Sequence, residues 1–190
     1  DPKWLEKYRK YTRENPDNNR FKDNGELEFS IQLLKKNCDF IRNIYIVTDQ
    51  QIPNWLIKKR ESELESEKEW CKNIFIVDHL DIMNGKCNLP TFKSNTIESF
   101  LHNIKGLSEY FLYFNDYTFI GSKCGIETFI NKKTRKPITR LKHFPIDNNT
   151  LYYKYSNTYK DELYNTNMLI NRKYNKPSEY ESIHQVIVMS

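Results

Sequence analysis

Glycine is scarce in this chain of 190 residues, with 5, beside 7 prolines, 3 methionines and 4 histidines. Tyrosine (13) and phenylalanine (11) together outnumber glycine plus proline. A disordered chain shows the reverse, so the composition calls for a packed core. The length suffices for one domain, or at most two very small ones. No apolar run approaches the roughly 18 residues of a membrane-spanning helix, and no basic-then-apolar leader is present. The chain opens on Asp1 rather than Met, as a fragment or a processed product would. Four cysteines (Cys38, Cys71, Cys87, Cys124) are widely spaced, with no Cys-x-x-Cys. They give neither a zinc signature nor an evident disulfide framework, and ordinary thiols are expected. Charge of a single sign is missing too. The net charge is +5, and Arg60 to Lys72 (RESELESEKEWCK) is acidic. A mild basic excess suits a phosphate-bearing ligand but lacks the basic stripe of a nucleic-acid binder.

What the sequence does contain is three short apolar runs ending in polar residues: Arg42 to Asp49 (RNIYIVTD), Asn73 to His79 (NIFIVDH) and Tyr110 to Asp116 (YFLYFND). Each is β-branched or aromatic and nearly continuously apolar, as strands buried on both faces of a parallel sheet are. Helical patterns lie between them. Asp23 caps one, with Glu26 reaching back as in a capping box and Leu27, Ile31 and Leu34 on one face. A second falls within Pro53 to Trp70. A third starts near Ser94, with Ile97, Phe100, Leu101 and Ile104 at helical spacing. A fourth starts at Ser178, with Ile183, Val186 and Ile187 inward. This alternation predicts an α/β, Rossmann-like three-layer sandwich with a mostly parallel sheet and an irregular part after about residue 122. Ligands then bind beyond the carboxyl ends of the strands. Thr48-Asp49, Asp78-His79 and Asn115-Asp116 stand there, either as a site or as the starts of the following loops.

Several stretches are more specific than periodicity. They are Arg20 to Leu27 (RFKDNGEL), Ile44 to Leu56 (IYIVTDQQIPNWL), Leu89 to Ser99 (LPTFKSNTIES), Gly106 to Phe111 (GLSEYF) and Tyr113 to Asp116 (YFND). Their succession resembles the second conserved region of the Stealth family, the capsular polysaccharide phosphotransferases and the N-acetylglucosamine-1-phosphotransferase catalytic subunit. The family pattern is roughly R-x-x-D-N-x-E-L, I-x-I-V-T-x-x-Q-x-P-x-W-L, L-P-T-F-x-S-x-x-I-E-S-x-x-H and L-x-x-x-F-x-Y-x-N-D-D. The resemblance covers about residues 20 to 121. Asp1 to Trp4 resembles the tail of the family's first region, and Lys142 to Pro145 the opening of its third, which would occupy 138–190. Residues 1–190 are expected to be a single domain.

The resemblance implies transfer of a sugar 1-phosphate from a UDP-sugar to a hydroxyl of a glycan or glycoprotein acceptor, with UMP leaving. It also implies Mg²⁺ or Mn²⁺. Such a reaction needs charge neutralisation on the phosphoryl group and an aligned, deprotonated acceptor. Asp116 is the expected metal ligand or base, with Asn115 beside it orienting substrate. His143 would take the acceptor's proton or pair with phosphate, and Arg172 is named as a third catalytic residue. Arg20 could clamp phosphate, or form a surface ion pair. Asp23, Asn24 and Glu26 could bind substrate or simply cap a helix. Thr91, Ser94, Glu98 and His102 form a further binding group, the last three sharing one helix face. Ser94 and Glu98 could instead cap that helix.

The chain departs from the family where Tyr117 replaces the second Asp of the acidic pair. A phenol cannot stand in for a hard anionic ligand. The first region carries a strand that helps build the nucleotide site, and only its last residues are present. An uncovered sheet edge is an association hazard and admits a homo-oligomer. The alternative to a transferase is therefore a degenerate relative that binds a nucleotide-sugar or a partner without turnover. Compartment is open: family members work in the bacterial cytoplasm and in the Golgi lumen.

Overall fold

Two of the three apolar runs become neighbouring strands. β1 (Ile44–Thr48) and β2 (Ile74–Asp78) pair in parallel, in a register running from Ile44↔Ile74 to Thr48↔Asp78. The computed structural model describes residues 1–16, 21–139, 141–143, 159–175, 180–182 and 187–189.

Side chains of a strand alternate between faces, and each face of this pair has its own core. On one, Ile46 and Ile74 pack with Ile31, Leu56 and Cys71. These come from α2 (Glu26–Asn37), α3 (Asn54–Glu61) and α4 (Glu65–Cys71). On the other, Tyr45, Val47 and Val77 pack against Ile82, Met83, Leu101 and Ile104. These follow β2 on α5 (His79–Met83) and in the segment after α6 (Ser94–Glu98). Leu56 and Met83 are fully buried. Each such side chain contributes about 1.5–3 kcal/mol of hydrophobic stabilisation.

Several predicted elements differ. The helix expected within Pro53 to Trp70 is two helices. Ser62, extended at ψ 146°, ends α3, and its hydroxyl accepts the Leu64 N–H. Asp23 and Glu26 form no capping box: α2 starts after Gly25, whose φ of 86° suits glycine. The third helix stops at Glu98. The Ser99 hydroxyl donates to the Thr96 carbonyl, and a 3₁₀ turn follows at Leu101–Asn103. The three-residue spacing of buried Leu101 and Ile104 matches that tighter period. His102 therefore leaves the face of Ser94 and Glu98.

β3 (Phe111–Tyr113) does not join β1 and β2 as a third parallel strand. It pairs antiparallel with β6 (Ile187–Met189), Phe111 facing Met189. The helix expected from Ser178 is replaced by β5 (Tyr180–Ser182) and β6, with 178–179 and 183–186 outside the described residues. The β-branched Ile187 and Val188 favour an extended chain, and the free edge of β3 gives it backbone partners. β4 (Leu141–His143) pairs with β5. The part after residue 122, expected to be irregular, also holds a 16-residue helix, α7 (Tyr159–Tyr174).

At the other end, α1 (Pro2–Thr12) is capped by the Asp1 side chain. Its Trp4 and Tyr8 rings lie 5.0–5.5 Å from those of Phe21 and Phe92. Its Lys7 reaches β1's end, 2.7 Å from Asp49.

Candidate functional site

Two of the three polar strand ends are closed by bonds within the fold. Asp49 is largely buried and paired with Lys7, its two oxygens each 2.7 Å from Nζ. Asp78 accepts N–H donors from Gln50 at 2.7 Å and Leu80 at 2.8 Å. It thereby caps α5 and ties the loop after β1, where Gln50 has φ 59°, to β2. His79 beside it is buried, with no partner for Nδ1 among the described residues. Burial pushes its pKa below the usual value, against the pull of the Asp49 and Asp78 carboxylates.

The third end is different. Asp116 follows β3 on the surface, and among the described residues its carboxylate has no hydrogen bond or ion pair. Beside it, the half-buried Tyr113 hydroxyl donates to Glu98 Oε1 at 2.9 Å and lies 2.8 Å from Asn115 Oδ1. Burial first, and then the Glu98 carboxylate, raises the phenol's pKa, so it stays a donor. Lys93 occupies the N-cap of α6 and no side chain caps that helix. Glu98 is thus turned towards β3 rather than towards its own helix start.

Ser94, Glu98, Asn115 and Asp116 line one cavity of ≈ 810 Å³. Its remaining wall is mostly apolar and includes Ile31 of α2, Ile46 of β1 and Phe111 of β3, with Leu101, Ile104 and Phe129 from the connecting segments. Among the described residues β1 pairs only with β2, and β3 only with β6. Residues of both β1 and β3 line the cavity, and among the described residues no strand pairs with both. Its rim carries two carboxylates, an amide and a hydroxyl, a set suited to hard cations and sugar hydroxyls.

Several other expected site residues lie elsewhere. The Asp23 carboxylate accepts the Gly25 N–H at 2.8 Å, and Glu26 is held by the Asn24 N–H and amide, both at 2.8 Å. The Asn24 amide, first among the causes, lowers the Glu26 pKa. The three form a closed turn outside the cavity wall. Thr91 Oγ1 accepts from the Lys93 N–H at 3.4 Å. Thr91 and the exposed His102 are not on that wall. Arg172 is exposed in the last turn of α7. His143 ends β4, opposite Tyr180. Arg20 lies outside the described residues. Tyr113 is the group that sequence reasoning missed. In the sequence it looks like one more apolar strand residue, although in an extended chain a Tyr two positions before Asn115 faces the same side. No three His, Cys, Asp or Glu side chains cluster as a metal site among the described residues. No helix among them is long and apolar enough to cross a membrane.

The pattern described as Stealth protein CR2, conserved region 2, matches residues 20–138. A capsular polysaccharide phosphotransferase of Actinobacillus pleuropneumoniae is 34% identical over 184 residues, 88% of this chain and 48% of that protein. An exopolysaccharide phosphotransferase of Streptomyces coelicolor is 44% identical over 110 residues, 58% of this chain and 10% of its own. The mouse N-acetylglucosamine-1-phosphotransferase subunits alpha/beta are 41% identical over 102 residues, 54% of this chain and 7% of theirs. The chain thus spans about half the length, or less, of these relatives.

Proposed function

The chain belongs to the Stealth family, and from that premise we propose that it is the acceptor-activating core of a sugar-phosphate transferase. It moves a hexose- or N-acetylhexosamine-1-phosphate from a UDP-sugar to a hydroxyl of a glycan or glycoprotein acceptor and releases UMP. The observation that carries this reading is the end of β3. There Asp116 is an exposed carboxylate with no hydrogen bond or ion pair among the described residues, beside Asn115, whose Oδ1 lies 2.8 Å from the Tyr113 hydroxyl.

Mg²⁺ or Mn²⁺ fits these residues in one mode. Mg²⁺ is commonly held by one or two carboxylates plus substrate phosphates rather than by a full protein cage. Asp116 would hold the ion, with Glu98 on the same rim. When bound, the ion supplies charge neutralisation on the transferring phosphoryl group. Asn115 orients a sugar or phosphate oxygen, and Ser94 donates a hydroxyl at the same rim. His143 takes the acceptor's proton, and Arg20 and Arg172 bring positive charge to the diphosphate. Asp23, Asn24, Glu26 and Thr91 contribute through the shape of the two loops that bear them, and His102 through the 3₁₀ turn after α6.

The cavity supports a finer reading of the fold. The ≈ 810 Å³ cavity reaches from β1 to β3 and has room for a further segment of chain. We infer that a strand from the part of the family's sequence not spanned here fills the apolar slot. It would complete a Rossmann-like three-layer sandwich and leave the polar rim as the site.

Transfer of label from a UDP-sugar to a glycan acceptor, with Asp116→Asn as the control, tests the reaction. Activity unchanged by that substitution refutes the assignment. Tyr117 favours a second reading, binding without turnover. Calorimetry showing saturable UDP-sugar binding with no UMP release would select it.

A further inference from the structure

The strap that leaves the site, residues 117–125, is fastened to α2 at three points. The Ser30 hydroxyl donates to the Thr118 carbonyl at 2.7 Å, and the Asn37 amide to the Ile120 carbonyl at 2.6 Å. The Cys124 N–H donates to the Asn37 carbonyl at 3.0 Å. That last bond sets two cysteines side by side, although 86 positions separate them in sequence, with their Sγ atoms 3.3 Å apart. Cys71 and Cys87 have no such neighbour: each sulfur lies 3.4 Å from a backbone carbonyl, of Lys68 and Asn88 respectively.

We propose that Cys38 and Cys124 form a disulfide-forming site, which reacts with a low-molecular-weight disulfide such as oxidised glutathione and covalently clamps the strap to the end of α2. The pair is asymmetric. Cys38 is buried, and burial followed by the neighbouring thiol pushes its pKa up to about 12. Cys124 is half-buried and open to a reagent. The thiolate is the attacking species. Cys124 therefore enters first: its thiolate attacks one glutathione sulfur, the S–S bond breaks, and one glutathione thiolate leaves. The Cys38 thiol then gives its proton to solvent and attacks Cys124 Sγ. A second glutathione thiolate leaves and is protonated. Two protein thiols are oxidised, and one glutathione disulfide is reduced to two thiols. The low thiolate fraction of Cys38 is offset by its contact with the sulfur it attacks. Contact at 3.3 Å closes to the ~2.05 Å of a disulfide through side-chain rotation and a small backbone adjustment. The new ring spans β1, β2 and β3.

The test exposes the native chain to oxidised glutathione, quenches it in acid, counts thiols in denaturant and maps tryptic peptides. The four thiols should fall to two, with the peptide Asn37–Arg42 joined to Cys124–Lys132. Cys38→Ser should stop at a glutathionylated Cys124, and Cys124→Ser should leave Cys38 reduced. Four thiols retained in the wild-type chain, a bridge through Cys71 or Cys87, or a cross-link only between two molecules would overturn the proposal. The wild-type peptide map decides the matter even if a variant fails to fold.

Discussion

Replacing Tyr113 by Phe removes one oxygen and leaves the ring in its packing against Met83 and Leu101's cluster. The lost bond runs to a carboxylate, and a hydrogen bond to a charged group contributes about 1.5–3 kcal/mol. Tyr113 and Glu98 are half-buried, so water screens part of it, and a loss of about 1–2 kcal/mol is expected. The phenol's raised pKa sets the pH range. A group whose folded pKa lies above its unfolded value contributes fully below the unfolded value, about 10 here, and loses that contribution as pH rises through the folded pKa. The destabilisation should therefore be constant between about pH 6 and pH 9. Urea unfolding followed by tryptophan fluorescence gives its size, provided the denaturant slope is unchanged. Pairing Tyr113→Phe with Glu98→Gln in a double-mutant cycle should return a coupling of about 1 kcal/mol. In the transfer assay, loss of Asn115's anchor should lower turnover about tenfold, equivalent to ~1.4 kcal/mol of alignment. Strictly additive losses in the cycle, within about 0.3 kcal/mol, would refute the network.

Three further outcomes follow from the same geometry. Leu56→Ala empties a fully buried position between α2, α3 and β1, and should cost about 3–5 kcal/mol by urea denaturation. Lys7→Met leaves the Asp49 carboxylate buried without its partner. It should cost about 2–3 kcal/mol near pH 7, less than a fully buried pair because Lys7 is partly exposed. For His79, burial lowers the folded pKa. Its contribution is therefore complete above the unfolded value of about 6.5 and is lost as pH falls through the folded one. Urea midpoints should fall on acidification below about pH 6.5, with a shallower slope in His79→Leu.

The parts of the fold legible in the sequence are those whose signal is local. Ile44 to Thr48 and Ile74 to Asp78 declare themselves as buried strands by unbroken apolar content. Leu27, Ile31 and Leu34 declare the inner face of α2. What the sequence left obscure depends on distant partners. The third apolar run looks like the first two, yet β3 pairs with residues 187–189, and nothing in YFLYFND names that choice. α7 is rich in Tyr and Asn and carries no sharp apolar stripe. Asp49, Asp78 and Asp116 are equivalent as strand-ending carboxylates. Only Lys7, which lies 42 positions before Asp49, and the Gln50 N–H that meets Asp78 show that the first two are committed.

The aromatic rings of α1 have a mechanical meaning. Trp4 and Tyr8 touch both Phe21, just ahead of the Asp23–Glu26 turn, and Phe92, just ahead of Ser94. One short helix thus acts as a brace between the two loops that carry most of the candidate sugar-contacting groups. Trimming the chain at Thr12 would free both loops together, so their amide exchange should quicken in step while that of β1 and β2 stays slow.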